Sequence, residues 1–131
     1  MKILSAVEYS TKLRVSVHAS GKLGFSNEAA KSLGITAESS VKFGQDDDDP
    51  SVLYLIVPRE GDDECFPVKP SGPYYYVPTK TLFDALGVDY AGSTVIYDLV
   101  RMPSLDAACG GLTFRMDKRV IPGNQQFKGK Q

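Results

Sequence analysis

Apolar and polar residues alternate through Leu13-Arg14-Val15-Ser16-Val17-His18, with Leu13, Val15 and Val17 on one face and Arg14, Ser16 and His18 on the other. A period of two marks a half-buried strand, so the pattern predicts a strand over 12–19. Ser20-Gly21 ends it with turn chemistry. After Phe25 the period changes. Ser26 suits a helix N-cap, Ala29, Ala30 and Leu33 form an inward stripe, and Gly34 stands where a left-handed C-cap is wanted. Two further β-prone runs, Val41-Lys42-Phe43 and Val52–Val57, flank Gly44–Ser51, whose aspartates and Pro50 predict a hairpin tip.

The same plan recurs. An offset of 53 superposes Leu33-Gly34-Ile35 on Leu86-Gly87-Val88 and Ser26 on Thr79. In the second copy Thr79 is the predicted cap, Leu82, Phe83 and Leu86 the inward stripe, and Gly87 the stop. Ser93-Thr94-Val95-Ile96-Tyr97 follows as Ser39-Ser40-Val41-Lys42-Phe43 does in the first. Both helices span about two turns, so packing must stabilise them. Leu112–Ile121 alternates loosely and predicts a last strand. The expected fold is α+β and β-rich: one domain over 1–121, with strand-short helix-strand units at about 12–58 and 65–101. The duplication predicts a pseudo-two-fold relation between the units, and a flexible basic tail over 122–131 is expected to follow.

Composition narrows the function classes. The chain has 131 residues, 42% of them hydrophobic and 24% charged, ordinary for a globular domain with one real core. No apolar run reaches the ~18 residues of a membrane span, and the N-terminus has no apolar block suited to a signal peptide. Cys65 and Cys109 fit no disulfide framework or zinc spacing, which points to reduced thiols and a cytoplasmic setting. There is one histidine and no tryptophan. No phosphate-loop, nucleophile-elbow or metalloprotease pattern occurs, so neither enzyme nor cofactor is expected. Asp46–Asp49 invites a calcium reading, but a loop starting at Asp46 would need Gly and Glu where Ser51 and Val57 stand. No metal site is expected.

Charge is uneven along the chain. Six basic and three acidic residues lie in 1–45, four and twelve in 46–111, and five and one in 112–131. Lys12, Arg14, Lys22, Lys31 and Lys42, with His18 nearby, are candidates for a phosphate-facing surface. Of the candidate contacts to nucleic acid, Lys12, Arg14, Lys22 and Lys31 carry the expectation. The densest aromatic run, Tyr74-Tyr75-Tyr76, is a candidate protein-interaction site or base-stacking platform. Alternation puts Tyr74 and Tyr76 on one side and Tyr75 on the other.

The stretch from Lys12 to Pro58 resembles the AbrB-type swapped-hairpin family of small transcription regulators and antitoxins. The resemblance rests on Gly21-Lys22 in the turn, Phe25-Ser26 entering the helix, Glu28-Ala29-Ala30-Lys31 within it, Leu33-Gly34-Ile35 at its exit, and the strands around the acidic tip. Residues 67–101 resemble the same unit more weakly. The family's usual proline is replaced by Ser26 and Thr79, with Pro78 one residue away. The resemblance implies two units paired into one barrel-like body, here within a single chain, that grips duplex DNA through basic strand-turn residues. Two functions are therefore expected: a protein-interaction or self-association module, and a DNA-binding regulator or antitoxin-type protein. Neither involves a membrane or a small-molecule cofactor.

Overall fold

The computed structural model describes Met1 and residues 13–122. Lys12 and the tail from residue 123 onward lie outside the described residues. Strands β1 (Arg14–Val17) and β2 (Leu23–Phe25) lead into helix α1 (Asn27–Leu33), then β3 (Ser40–Gln45) and β4 (Leu53–Pro58). The chain continues through β5 (Phe66–Pro67), β6 (Lys69–Ser71), β7 (Tyr74–Val77), helix α2 (Lys80–Ala85) and β8 (Ser93–Arg101). A 3-10 turn at Pro103–Leu105, a short helix α3 (Asp106–Cys109) and β9 (Gly111–Pro122) complete it. Cys109 is the last residue of α3.

Local chemistry starts and stops α1 as its sequence predicts. Ser26 Oγ accepts from Ala29 N at 3.1 Å, and Ala29, Ala30 and Leu33 are buried. Gly34 and Gly87 follow α1 and α2 with φ of 73° and 74°. Their neighbours Ile35 and Val88 donate back to Ala30 O and Phe83 O, at 2.8 and 3.0 Å. These bonds satisfy carbonyls that a helix end leaves open.

Among the described residues, nine antiparallel strands form a nearly closed, barrel-like sheet in the order β5-β3-β4-β9-β8-β1-β2-β7-β6. Its two edges, β5 and β6, are separated in sequence by Val68 alone. Val68 N donates to Ser39 O at 3.0 Å, so one short run of chain serves β3 with its first half and β7 with its second. Closure of this kind removes the exposed edges that invite aggregation.

The interior receives alternate residues from seven of the strands: Val15 and Val17, Leu23 and Phe25, Val41, Leu55, Val77, Val95, Tyr97 and Leu99, Phe114 and Met116. Aromatic rings run through its centre. Phe83 stacks on Tyr97 at 6.1 Å, and Phe43 meets both Phe83 and Phe66 edge-on. Burial pushes the Tyr97 hydroxyl above its ordinary pKa. Phe83, the buried anchor of α2, joins this short helix to the barrel.

Candidate nucleic-acid interface

One stretch of the barrel's outer surface gathers the sequence's candidates. With Val15 and Val17 turned inward, β1 presents Arg14 and Ser16 outward. The turn to β2 is held twice, by Gly21 N donating to His18 O at 2.8 Å and His18 N donating to Lys22 O at 2.9 Å. Thr79 fixes the turn from outside. It makes no side-chain cap for α2, contrary to the pattern-based expectation. Its fully buried hydroxyl instead accepts from Leu23 N at 3.0 Å and faces Gly21 O at 2.9 Å as donor. These two peptide groups flank Lys22, so a residue 56 positions away along the chain from Leu23 sets where Lys22 stands.

Tyr74, Tyr75 and Tyr76 divide as the alternation predicts. Tyr75 packs against the core opposite Phe25. Tyr74 and Tyr76 face outward beside Arg14, Ser16 and His18. Tyr76 is the register partner of Gly24 on one side and of Lys69 on the other. Gly24 is required there for space. A Cβ on it would run into Nε2 of His18 and stand 3.3 Å from Cε1 of Tyr76. Without that atom, the imidazole lies across β2 and meets the Tyr76 ring edge-on at 4.9 Å. Lys22 Nζ stands 6.0 Å from the centroid of the same ring.

Two adjoining cavities share His18 and Tyr76 and together form an open groove. One, of about 450 Å³, adds Lys22, Lys69, Ser20 and Ser71. The other, of about 510 Å³, adds Arg14, Ser16, Ser26 and Tyr74. Among the described residues, no carboxylate lines either cavity. Asp98 is the register partner of Arg14, but both its oxygens accept from Arg119, at 2.7 and 3.1 Å. Arg14 forms no ion pair among the described residues.

The other ion pairs among the described residues lie outside the groove. Lys42 meets Asp62 at 2.7 Å, Lys80 meets Asp84 at 2.9 Å, Arg101 meets Asp106 at 2.6 Å and Arg115 meets Asp117 at 2.7 Å. The basic partner holds each of these four carboxyls below its ordinary pKa, chiefly by hydrogen bonding. Lys42 is therefore engaged with Asp62 rather than presented to a phosphate.

The groove brings together Arg14, Lys22, Tyr74 and Tyr76 of the predicted site residues. Lys31 is exposed on α1 and does not line it. Lys69 was missed by sequence reasoning. It lies on a three-residue strand next to Pro70, and its place beside Tyr76 depends on a pairing no local pattern records. Gly24 was missed as well, although a glycine amid β-prone residues is a signal of close approach.

A β-rich, nearly closed sheet carrying a cationic, tyrosine-lined groove is the class that fold and site define. Comparison with known protein families, curated proteins and solved structures finds no match to this chain.

Proposed function

We propose that this chain is a non-enzymatic nucleic-acid-binding module, built as a single-chain pseudo-dimer of two β-β-α-β-β units that resemble the AbrB-type swapped-hairpin family. The strand pairing supports the two-fold. Exchanging β1, β2, β3 and β4 with β5–β6, β7, β8 and β9 leaves every neighbour relation unchanged: β1–β2 becomes β6–β7, β3–β4 becomes β8–β9, and β1–β8 becomes β5–β3. The β2–β7 and β4–β9 pairs map onto themselves, about Gly24↔Tyr76 and Leu55↔Phe114. On those registers Ser16↔Gly24 corresponds to Lys69↔Tyr76, and Ser40↔Pro67 to Asp98↔Arg14. The offset is then 58 for β3 onto β8, so Val41 corresponds to Leu99 rather than to Val95. Both Val41 and Leu99 are buried.

The observation that carries the function is charge placement. Arg14, Lys22 and Lys69 form none of the ion pairs found among the described residues, and they converge with His18 on a groove whose described lining holds no carboxylate. Phosphates are the groups such a surface attracts, through release of their counterions. The acidic tip at Asp46–Asp49 belongs to the β3–β4 hairpin, outside this groove. Tyr75 packs on the core, so the three tyrosines are not one docking surface; this favours nucleic acid over a protein partner. A cytoplasmic setting fits the free thiols of Cys65 and Cys109, and no helix among the described residues is long and apolar enough to cross a membrane.

The test is binding of mixed-sequence oligonucleotides, single-stranded and duplex, at two salt concentrations. Affinity should fall steeply with salt, and Lys22→Ala should lower the slope of log K against log salt by about one. No binding of either nucleic acid at ~50 mM salt, where phosphate contacts are strongest, would overturn the reading.

A further inference from the structure

We infer that the groove selects single-stranded over duplex nucleic acid, with Tyr74 and Tyr76 as stacking platforms for two unpaired bases. The inference rests on the nucleic-acid reading above and specifies its substrate.

Tyr74 and Tyr76 are two residues apart on one outward face of β7, which separates them by roughly 6.8 Å along the strand. Bases in a duplex follow one another at ~3.4 Å per strand, and their neighbours cover their faces. Rings at twice that repeat are mismatched to a stacked helix. They suit an extended strand whose bases have come apart, each laid against one ring. Stacking of this kind is open to any base, because every base has a π-face.

Tyr74 is 50% exposed, the most exposed aromatic residue in the described chain. Nothing in the core requires a large apolar ring there. Its register partner Ser71 is small and exposed, which leaves the ring uncovered from the β6 side.

Tyr76 is held between Gly24 and Lys69 by register and braced by the His18 edge, so little ordering remains to be done on binding. Lys22 beside its face and Lys69 beside its backbone place two cations within one nucleotide's reach of the ring. A base on Tyr76 and its flanking phosphates can thus be satisfied together. On the proposed two-fold the halves have diverged: Lys22 and Gly24 of the first unit correspond to Tyr74 and Tyr76 of the second. One unit supplies charge and space, the other supplies rings.

The experiment measures anisotropy of a labelled oligodeoxythymidine and of a mixed-sequence duplex of equal length against the full chain at low salt. The single strand should bind more tightly. Tyr74→Ala and Tyr76→Ala should each weaken the single strand about tenfold and leave residual duplex binding unchanged, while Tyr76→Phe, which keeps the ring, should bind as the parent does. Tyr74→Ala removes an exposed side chain, so its fold is safe even if Tyr76→Ala proves unstable. Duplex binding as tight as or tighter than the single strand would overturn the inference and leave the nucleic-acid reading intact, as would unchanged affinity in both alanine variants. Failure of both nucleic acids to bind, or equal competition by polyglutamate, would overturn both.

Discussion

Gly34 and Gly87 isolate one physical effect each. Both have positive φ, and a Cβ added at either would meet nothing within 4 Å. Substitution there costs only the left-handed backbone, on the order of 1–2 kcal/mol for a residue with a Cβ. Gly34→Val and Gly87→Val should each lower stability by more than the ~1 kcal/mol of a typical substitution, because a β-branched residue fits that region badly. Equal losses in chemical denaturation would match the like conformation both residues hold just after their helices. Gly24 presents the opposite case. Gly24→Ala meets the end of an exposed imidazole, so it should displace His18, register as a shift in the His18 NMR signals, and weaken nucleic-acid binding more than it lowers the melting temperature.

At the scale of elements, Thr79 illustrates how one side chain can leave its local role for a distant one. The sequence predicts a cap for α2, as Ser26 caps α1. The barrel brings the β1–β2 turn against the start of α2 closely enough that a Cβ on Gly21 would lie 2.9 Å from the Lys80 backbone. The Thr79 hydroxyl is then buried beside Leu23 N, and tying that turn outweighs capping a six-residue helix. Thr79→Val keeps the shape and orphans a buried N–H, so it should cost about 1–3 kcal/mol by denaturation. Thr79→Ser should recover most of that. With no side-chain cap at its start, α2 depends on the burial of Phe83. Phe83→Ala should cost about 3–5 kcal/mol, the range for emptying a buried aromatic site.

Over the whole molecule, charge is sorted rather than merely balanced. Asp62, Asp84, Asp106 and Asp117 are held below their ordinary pKa by basic partners, while Arg14, Lys22 and Lys69 form no ion pair among the described residues. A carboxyl depressed in the folded state contributes stability that is present above its unfolded pKa of ~3.9 and is lost as pH falls through the folded value. Unfolding titrations should therefore show little change from neutral pH down to about 5, then a progressive loss below about 4. Removing Arg101 should soften that acid limb by unpairing Asp106, whereas Lys22→Ala should leave it unchanged and alter only the salt dependence of binding.

Much of the local structure was legible in the residues. The alternation through 13–18 assigns β1 and its outward Arg14, glycines mark both helix stops, and the aspartate-rich tip separates β3 from β4. Each of these is a local matter: side chains in a strand point to alternate faces, and positive φ favours glycine, whatever the rest of the chain does. The alternation through 74–76 likewise separated the two outward tyrosines from Tyr75. What only the tertiary structure decided is which of these faces meet. Lys69 stands beside Tyr76, Gly24 makes room for His18, Thr79 reaches back to the first turn, and Lys42 is engaged by Asp62, all through pairings between segments far apart in sequence. A strand's period states which residues face outward, but its neighbours are chosen by closure of the whole barrel, and the groove exists only once those neighbours are in place.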